Sequence, residues 1–234
     1  MVITETNFNI NNCIGKRTSS NTDIYTIRDL RRFLYARKLP LNGAKHELIE
    51  RIVKYLDGSP FPKECGGGGN CLFHVLACMV SSVGEKKYEY MDMRSSTASV
   101  VNEDNIEDMV DMYKVDYINN KQDFRWVPEK LDNKSIKNKI RAMKNIIRTP
   151  GFLYEGDMVS LNLLVKSYLF QKYKIGIVII TNTGIVIKIE TSYTPKYYGV
   201  IYNTSNVHWE IIRAFLDGQE KYLFTEQEMD IIMK

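Results

Sequence analysis

The chain has 234 residues, 44% hydrophobic and 26% charged, with a formal net charge of +4. That length holds one domain of roughly 150–200 residues plus a small module, and it buries a core without disulfide or metal staples. The balance excludes a mostly disordered, collagen-like or coiled-coil chain.

No apolar run approaches membrane-spanning length; the strongest is Ile175–Ile180. The start, MVITETNFNI, shows neither a basic n-region nor an apolar h-region. The expectation is therefore an unsecreted protein without membrane association, in the cytoplasm or nucleus, with Cys13, Cys65, Cys71 and Cys78 as reduced thiols. There is no CxxC pair, and the only histidines are His46, His74 and His208, so no structural zinc is expected.

Residues 1–23 are polar, rich in Asn, Thr and Ser, and read as a flexible arm. Residues 26–56 carry eight Lys/Arg against three Asp/Glu, a net of +5, whereas residues 57–234 sum to −1. A local surplus of this kind points to an acidic partner, nucleic acid above all, or to a pair of solvated helix faces. Thr26 reads as an N-cap with Asp29 in the first turn, followed by Ile27, Leu30, Phe33 and Leu34 at helical spacing. Leu39-Pro40-Leu41-Asn42-Gly43 breaks that helix, and a second runs from Ala44 to Leu56.

The pair resembles a SAP motif through Ile27, Leu30, Leu34, the Leu39-Pro40 turn, Gly43, Lys45, Leu48, Ile52 and Leu56. The module spans residues 24–57. The resemblance, with the local charge, implies DNA binding, with Arg31, Arg32, Arg37 and Lys38 as contacts. A unit this small buries little core alone, so a docking role is the competing reading.

After a Pro/Gly-rich link comes Cys65-Gly66-Gly67-Gly68-Gly69-Asn70-Cys71, followed by the apolar segment Leu72–Val80. This reads as a glycine-rich loop opening a buried helix with Cys71 at its start. A helix N-terminus stabilises negative charge, so the thiol there is expected to ionise readily and act as a nucleophile. The loop amides can stabilise an oxyanion. A buried structural cysteine and a phosphate loop are the competing readings. No Lys-Ser/Thr follows the glycines, as a P-loop requires.

His208 is the candidate base. His74 follows Cys71 on the same helix and suits packing. In the alternating stretch 206–213, period 2 places His208 and Glu210 on one face and Trp209 on the other, so Glu210 can orient the imidazole. Asn206 and Asn203 are the alternatives for that third role. Glu226 lies in a polar tail and fits it poorly.

Helices are predicted at 71–82, 86–101, 104–118, 133–147 and 158–172, and strands at 175–181, 185–190, 197–202 and 206–213. Thr181-Asn182-Thr183-Gly184 predicts a hairpin turn. The expected class is α+β, with helices packed on a mostly antiparallel sheet.

Gly69-Asn70-Cys71-Leu72-Phe73-His74 resembles the nucleophile motif of the OTU (ovarian tumour) cysteine proteases, and His208-Trp209 matches that family's second signature. Tyr154-Glu155-Gly156-Asp157, with the helix and strand after it, resembles the intervening part. The resemblance implies a catalytic domain over residues 60–234 that removes ubiquitin from conjugates or polyubiquitin chains. It implies a Cys71–His208–Glu210 triad, an oxyanion site at the backbone of Gly68, Gly69, Asn70 and Cys71, and neither metal nor organic cofactor. Gly68 stands where the family usually has Asp, and Glu210 where it usually has Asn or Asp. A non-catalytic DNA-binding protein and a protease for a ubiquitin-like modifier are the alternatives. The Ile, Asn and Lys bias with this pair of modules suits a large DNA virus and its host cell.

Overall fold

A computed structural model describes residues 3–4, 7–9, 12, 24–57, 61–63, 65–203, 208–216 and 219–233. Two compact units make up the chain, residues 1–61 with 214–220 and residues 62–213 with 221–234.

The smaller unit is built on α1 (Ile27–Ala36) and α2 (Lys45–Asp57). Thr26 caps α1 in a reciprocal box: Asp29 N–H donates to Thr26 Oγ1 at 3.2 Å, and Thr26 N–H donates to Asp29 Oδ2 at 2.9 Å. The helix ends where Lys38 turns left-handed (φ 54°) and the Leu39 amide reaches back to the Leu34 carbonyl at 2.9 Å. Leu30, Phe33, Leu34, Leu39, Leu48 and Ile52 form one buried cluster with Tyr25 and Ile3. The described part of residues 1–23 thus differs from a free arm. Ile3 is buried, and Phe8 stacks on Tyr25 with ring centroids 5.7 Å apart. The Tyr25 hydroxyl donates to the Asn7 carbonyl at 3.0 Å. Two helices alone offer a thin core, and these residues thicken it.

The larger unit is organised around α3 (Cys71–Val83), whose residues Cys71–Phe73, Val75–Ala77, Met79 and Val80 are buried. A helix apolar on nearly every side must be enclosed. Around it come α4 (Tyr90–Val100), α5 (Ile106–Asn119), α6 (Trp126–Leu131) and α7 (Ile136–Arg148). α4 starts four residues later than the periodicity predicts, because Glu89 and Asp92 form a capping box there. The sequence reading missed α6; its Pro128 sits in the first turn, where a missing N–H costs nothing. The single helix predicted over 158–172 is two, α8 (Met158–Leu164) and α9 (Tyr168–Tyr173). Ser167 separates them, with the extended backbone of an N-cap (φ −74°, ψ 156°).

The strands are β1 (Phe61–Lys63), β2 (Ile175–Thr181), β3 (Val186–Lys188), β4 (Tyr197–Asn203), β5 (Trp209–Leu216) and β6 (Gln219–Lys221), ordered β1-β5-β4-β2-β3 with β6 on β5. The β2–β3 hairpin closes at the predicted turn, the Gly184 amide donating to the Thr181 carbonyl at 2.9 Å. β4 and β5 are antiparallel, in register Ile201↔Ile211, Tyr202↔Glu210 and Asn203↔Trp209. β4 runs parallel to β2, which alternation alone could not foresee. The predicted fourth strand shifts to Trp209–Leu216, so His208 stands just before it. The last element, α10 (Glu226–Ile232), is a helix capped by Thr225 and Glu228 where a polar tail was expected. Among the described residues no helix is long and apolar enough to cross a membrane.

Candidate active site

The glycine run is a turn with a defined geometry. The Asn70 amide donates to the Gly67 carbonyl at 3.3 Å, and the two central residues have positive φ, 66° at Gly68 and 74° at Gly69. That is the pattern of a type I′ turn, which few residues other than Gly, Asn and Asp adopt. Gly69 is also required for space. A Cβ there would lie 2.6 Å from the Gly151 carbonyl carbon. The turn delivers the chain into α3 with Cys71 as the first helical residue.

A buried arginine fastens this turn. Arg94, on α4, has no exposed surface. Its Nε and Nη2 donate to Asn70 Oδ1 at 2.9 and 2.7 Å, and Nη2 also reaches the Gly69 carbonyl at 3.1 Å. The same guanidinium donates to the carbonyls of Ile147 and Tyr154, both at 2.8 Å, and lies over the Phe73 ring. Asn70 completes the brace: its Oδ1 accepts from the Gly151 amide at 3.2 Å and its Nδ2 donates to the Gly68 carbonyl at 3.1 Å. One charge thus joins the turn, the end of α7 and the loop 149–157. Burial lowers the Arg94 pKa to about 10, which leaves it protonated at neutral pH. The loop support that Gly68 does not supply comes from Asn70 and Arg94. Sequence reasoning missed Arg94. Its only signal is an Arg on the inward face that Met93, Thr97 and Ala98 share.

The turn opens onto a cleft of about 800 Å³, lined by Gly67, Gly68, Gly69, Cys71 and His208 together with Tyr113, Phe124, Trp126, Phe152 and Tyr154. Asp123, Glu155 and Asp157 also line it, with no Lys or Arg among the described residues. Cys71 is 4% exposed. Burial pushes its thiol up; the amides of Trp209 and Leu72 pull it down by less, and the Glu155 carboxylate adds to the upward push. The expected ready ionisation at the helix start is therefore corrected: desolvation outweighs the amides. Glu155 itself is raised, by burial and then by Asp123.

Cys71 and His208 line the same cleft, and the amide that lowers the thiol belongs to Trp209, the residue after His208. His208 Nε2 lies 3.9 Å from Glu210 Oε1, an ion-pair distance longer than a hydrogen bond, with the two side chains 32% and 22% exposed. Asn203 pairs with Trp209 across the ladder, so it shares the face of Trp209 and not that of Glu210. Asn206 lies outside the described residues.

Of the proposed oxyanion donors, the Asn70 amide is committed to the turn, which turns attention to Gly68, Gly69 and Cys71. His74 packs: its ring lies 4.5 Å from that of Tyr90 and against Gly66, and burial lowers its pKa. Behind the cleft, the Tyr113 hydroxyl lies 2.9 Å from the Tyr154 hydroxyl and 3.0 Å from Asp157 Oδ2. Asp157 Oδ1 accepts from the Ser160 amide at 2.9 Å and caps α8.

In the smaller unit, Arg31 donates to the Leu41 carbonyl at 3.0 Å, and Arg37 lies 3.6 Å over the Phe33 ring. Arg31, Arg32 and Lys38 are exposed, and Arg37 is half-buried.

Residues 25–57 match the SAP domain family. Comparison with curated proteins gives no match. Among solved structures, the chain is similar to an ovarian tumour (OTU) domain in complex with ubiquitin, at 15% identity and TM-score 0.43, over 71% of this chain and 75% of that one. It is also similar to an OTU deubiquitinase from Wolbachia pipientis wMel, at 12% identity and TM-score 0.39, over 68% and 90% of the two chains.

Proposed function

We propose that the larger unit is a cysteine hydrolase that cleaves isopeptide bonds at the C-terminal glycine of ubiquitin. The observation that carries this reading is one cleft bearing Cys71 at a helix start, His208 and a glycine turn. The motif around Cys71 supplies the substrate class. Because burial keeps the thiol protonated, the nucleophile forms when substrate is bound, as His208 takes the thiol proton. Glu210 faces Nε2 and leaves Nδ1 for that transfer. The sulfur adds to the glycine carbonyl carbon, and the resulting oxyanion is held by amides of the turn. Collapse breaks the C–N bond, and the departing lysine amine takes the proton from His208. Water, deprotonated by His208, then attacks the thioester and releases the carboxylate and the thiol.

Ubiquitin carrying a C-terminal electrophile tests this. It labels the parent protein at Cys71 and does not label Cys71→Ala, while Cys65→Ala and Cys78→Ala still react. No labelling by this probe, with labelling by a probe built on a ubiquitin-like modifier, moves the substrate class; no labelling by either ends the hydrolase reading. For residues 25–57 we infer contact with DNA phosphates through the exposed Arg31, Arg32 and Lys38, whereas Arg37 packs over the Phe33 ring. Changing Arg32 and Lys38 to Gln reduces the slope of log K against log salt by about 2; an unchanged slope refutes the contact.

A further inference from the structure

Residues 57–234 are nearly neutral in sum, but the charge within them is segregated. Residues 130–148 hold seven Lys/Arg and one Asp, a net of +6, leaving −7 on the rest. The structure shows how these cations are arranged. Ile140, Met143, Ile146 and Ile147 of α7 face the core. Lys137, Arg141, Lys144 and Arg148 recur at intervals of four, three and four residues, so they form one straight stripe along the flank of that core face, with Lys144 half-buried and the other three exposed. Over those eleven steps the stripe is about 16 Å long. Beside it runs a groove of about 380 Å³ lined by Lys130, Lys134, Asn138, Arg141, Asn145 and Thr149 among others.

The stripe is unlike an ordinary solvated helix face. Such faces interleave acids with bases at i, i+4, whereas α7 contains no Asp or Glu. Among the described residues, Lys139 is the one cation of α7 that pairs with an acid, Glu107 at 2.7 Å, and it projects off the stripe. Among the described residues, no ion pair forms to Lys130, Lys134, Lys137, Arg141, Lys144 or Arg148. Like charges one turn apart repel, and Lys137 in the first turn opposes the helix dipole. Among the described residues, no acid compensates this repulsion along the stripe.

We propose that this face of α7, with Lys130 and Lys134 at its end, binds the sugar-phosphate backbone of duplex DNA. A line of phosphates is the complement of a line of cations, and the carboxamides of Asn138 and Asn145 and the Thr149 hydroxyl are groups that donate to phosphate oxygens. The groove has no aromatic lining residue on which an unstacked base would rest, which separates it from single-strand and most sequence-specific RNA sites. The contact is sequence-independent. It stands apart from the hydrolase chemistry and from the SAP-matching segment.

The test uses the full chain and fluorescence anisotropy with a short labelled DNA duplex across a salt series. Lys137, Arg141, Lys144 and Arg148 changed together to Gln reduce the slope of log K against log salt by about 3.6, an effect of roughly 150-fold between 50 and 200 mM salt. A control in which the exposed Lys86, Lys121, Lys166 and Lys196 become Gln makes the same change in net charge and keeps the parent slope. The stripe variant melts no lower than the parent, because its repulsion is relieved. If it does melt lower, Arg141→Gln and Arg148→Gln taken singly still each remove about one from the slope. An unchanged slope in the stripe variants, or an equal loss in the control, overturns the proposal. So does tighter binding to an RNA duplex, or to poly-glutamate, which assigns the face to RNA or to an acidic protein segment.

Discussion

Arg94 offers the sharpest test of how the site is held. Replacing it with Met keeps an unbranched apolar stem against Phe73 and removes the guanidinium. The carbonyls of Gly69, Ile147 and Tyr154 then lose the donor shown for them, and Asn70 Oδ1 keeps only the Gly151 amide. Each buried acceptor left unsatisfied costs about 1–3 kcal/mol. Three of them give roughly 3–9 kcal/mol, and the guanidinium's own desolvation, several kcal/mol no longer incurred, offsets the upper part of that range and leaves about 3–5. At about 2–4 °C per kcal/mol for a unit of this size, the melting temperature falls by roughly 10 °C. Labelling by the ubiquitin probe should fall further than the folded fraction does, because the freed groups are those that hold the turn before Cys71. Arg94→Lys keeps the charge but cannot span the acceptors from a single nitrogen, so it falls between parent and Met. A Met variant that melts within about 2 °C of the parent and labels at the parent rate would refute the brace.

Three other outcomes follow from the same geometry. Gly68→Asp folds and labels at close to the parent rate, because the turn accepts Asp at this φ and no atom lies within 4 Å of a Cβ there; Gly69→Ala loses more than about 2 kcal/mol and most of the labelling, since its Cβ strikes backbone. Comparable losses in melting and labelling assays would contradict this. Glu210→Gln lowers kcat by about 10–10³-fold with little change in ubiquitin affinity, whereas Asn203→Ala acts on melting; a larger kcat loss for Asn203→Ala means that the third member is misassigned. For Asp157, burial first raises the carboxyl above its ordinary 3.8, and the Ser160 and Tyr113 hydrogen bonds oppose this by less. The folded state therefore binds more protons than the unfolded one, and stability falls as pH rises from about 3.8 through the folded pKa. Asp157→Asn removes that loss, so melting curves should shift in the variant's favour from pH 3 to pH 7; a constant difference refutes the assignment.

The parts of this protein that sequence alone predicts well are those where one local rule decides. Periodicity places α3 within a residue and β2 at its observed ends, Ile175–Thr181. The Thr26 cap and the Gly184 turn are local hydrogen-bond patterns, and both form as read. Pairing two chemistry-bearing residues on one cleft was also within reach, since Cys71 and His208 each sit in a recognisable local pattern. The thiol's upward shift was not, because it sets the amides of a helix start, visible in sequence, against desolvation by residues distant in the chain. Arg94 is hidden for the same reason. A lone arginine between Met93 and Ser95 looks like a surface residue until the carbonyls of three separate segments converge on it.

Charge shows the converse failure, in which the information was present but averaged away. Summed from residue 57 to 234, the chain is almost neutral, and the basic surplus appears confined to residues 26–56. Electrostatics acts over about a Debye length, 8–10 Å at physiological salt, and not over a domain. The relevant sum is therefore taken along one helix face. There, Lys137, Arg141, Lys144 and Arg148 stand about a turn apart with no acid on their helix, while Asp123, Glu155 and Asp157 gather on the cleft. One unit thus presents a basic stripe and an acidic cleft. Salt should then weaken the DNA binding proposed for the stripe far more steeply than it affects the chemistry proposed for Cys71, whose thiol is pushed up by burial.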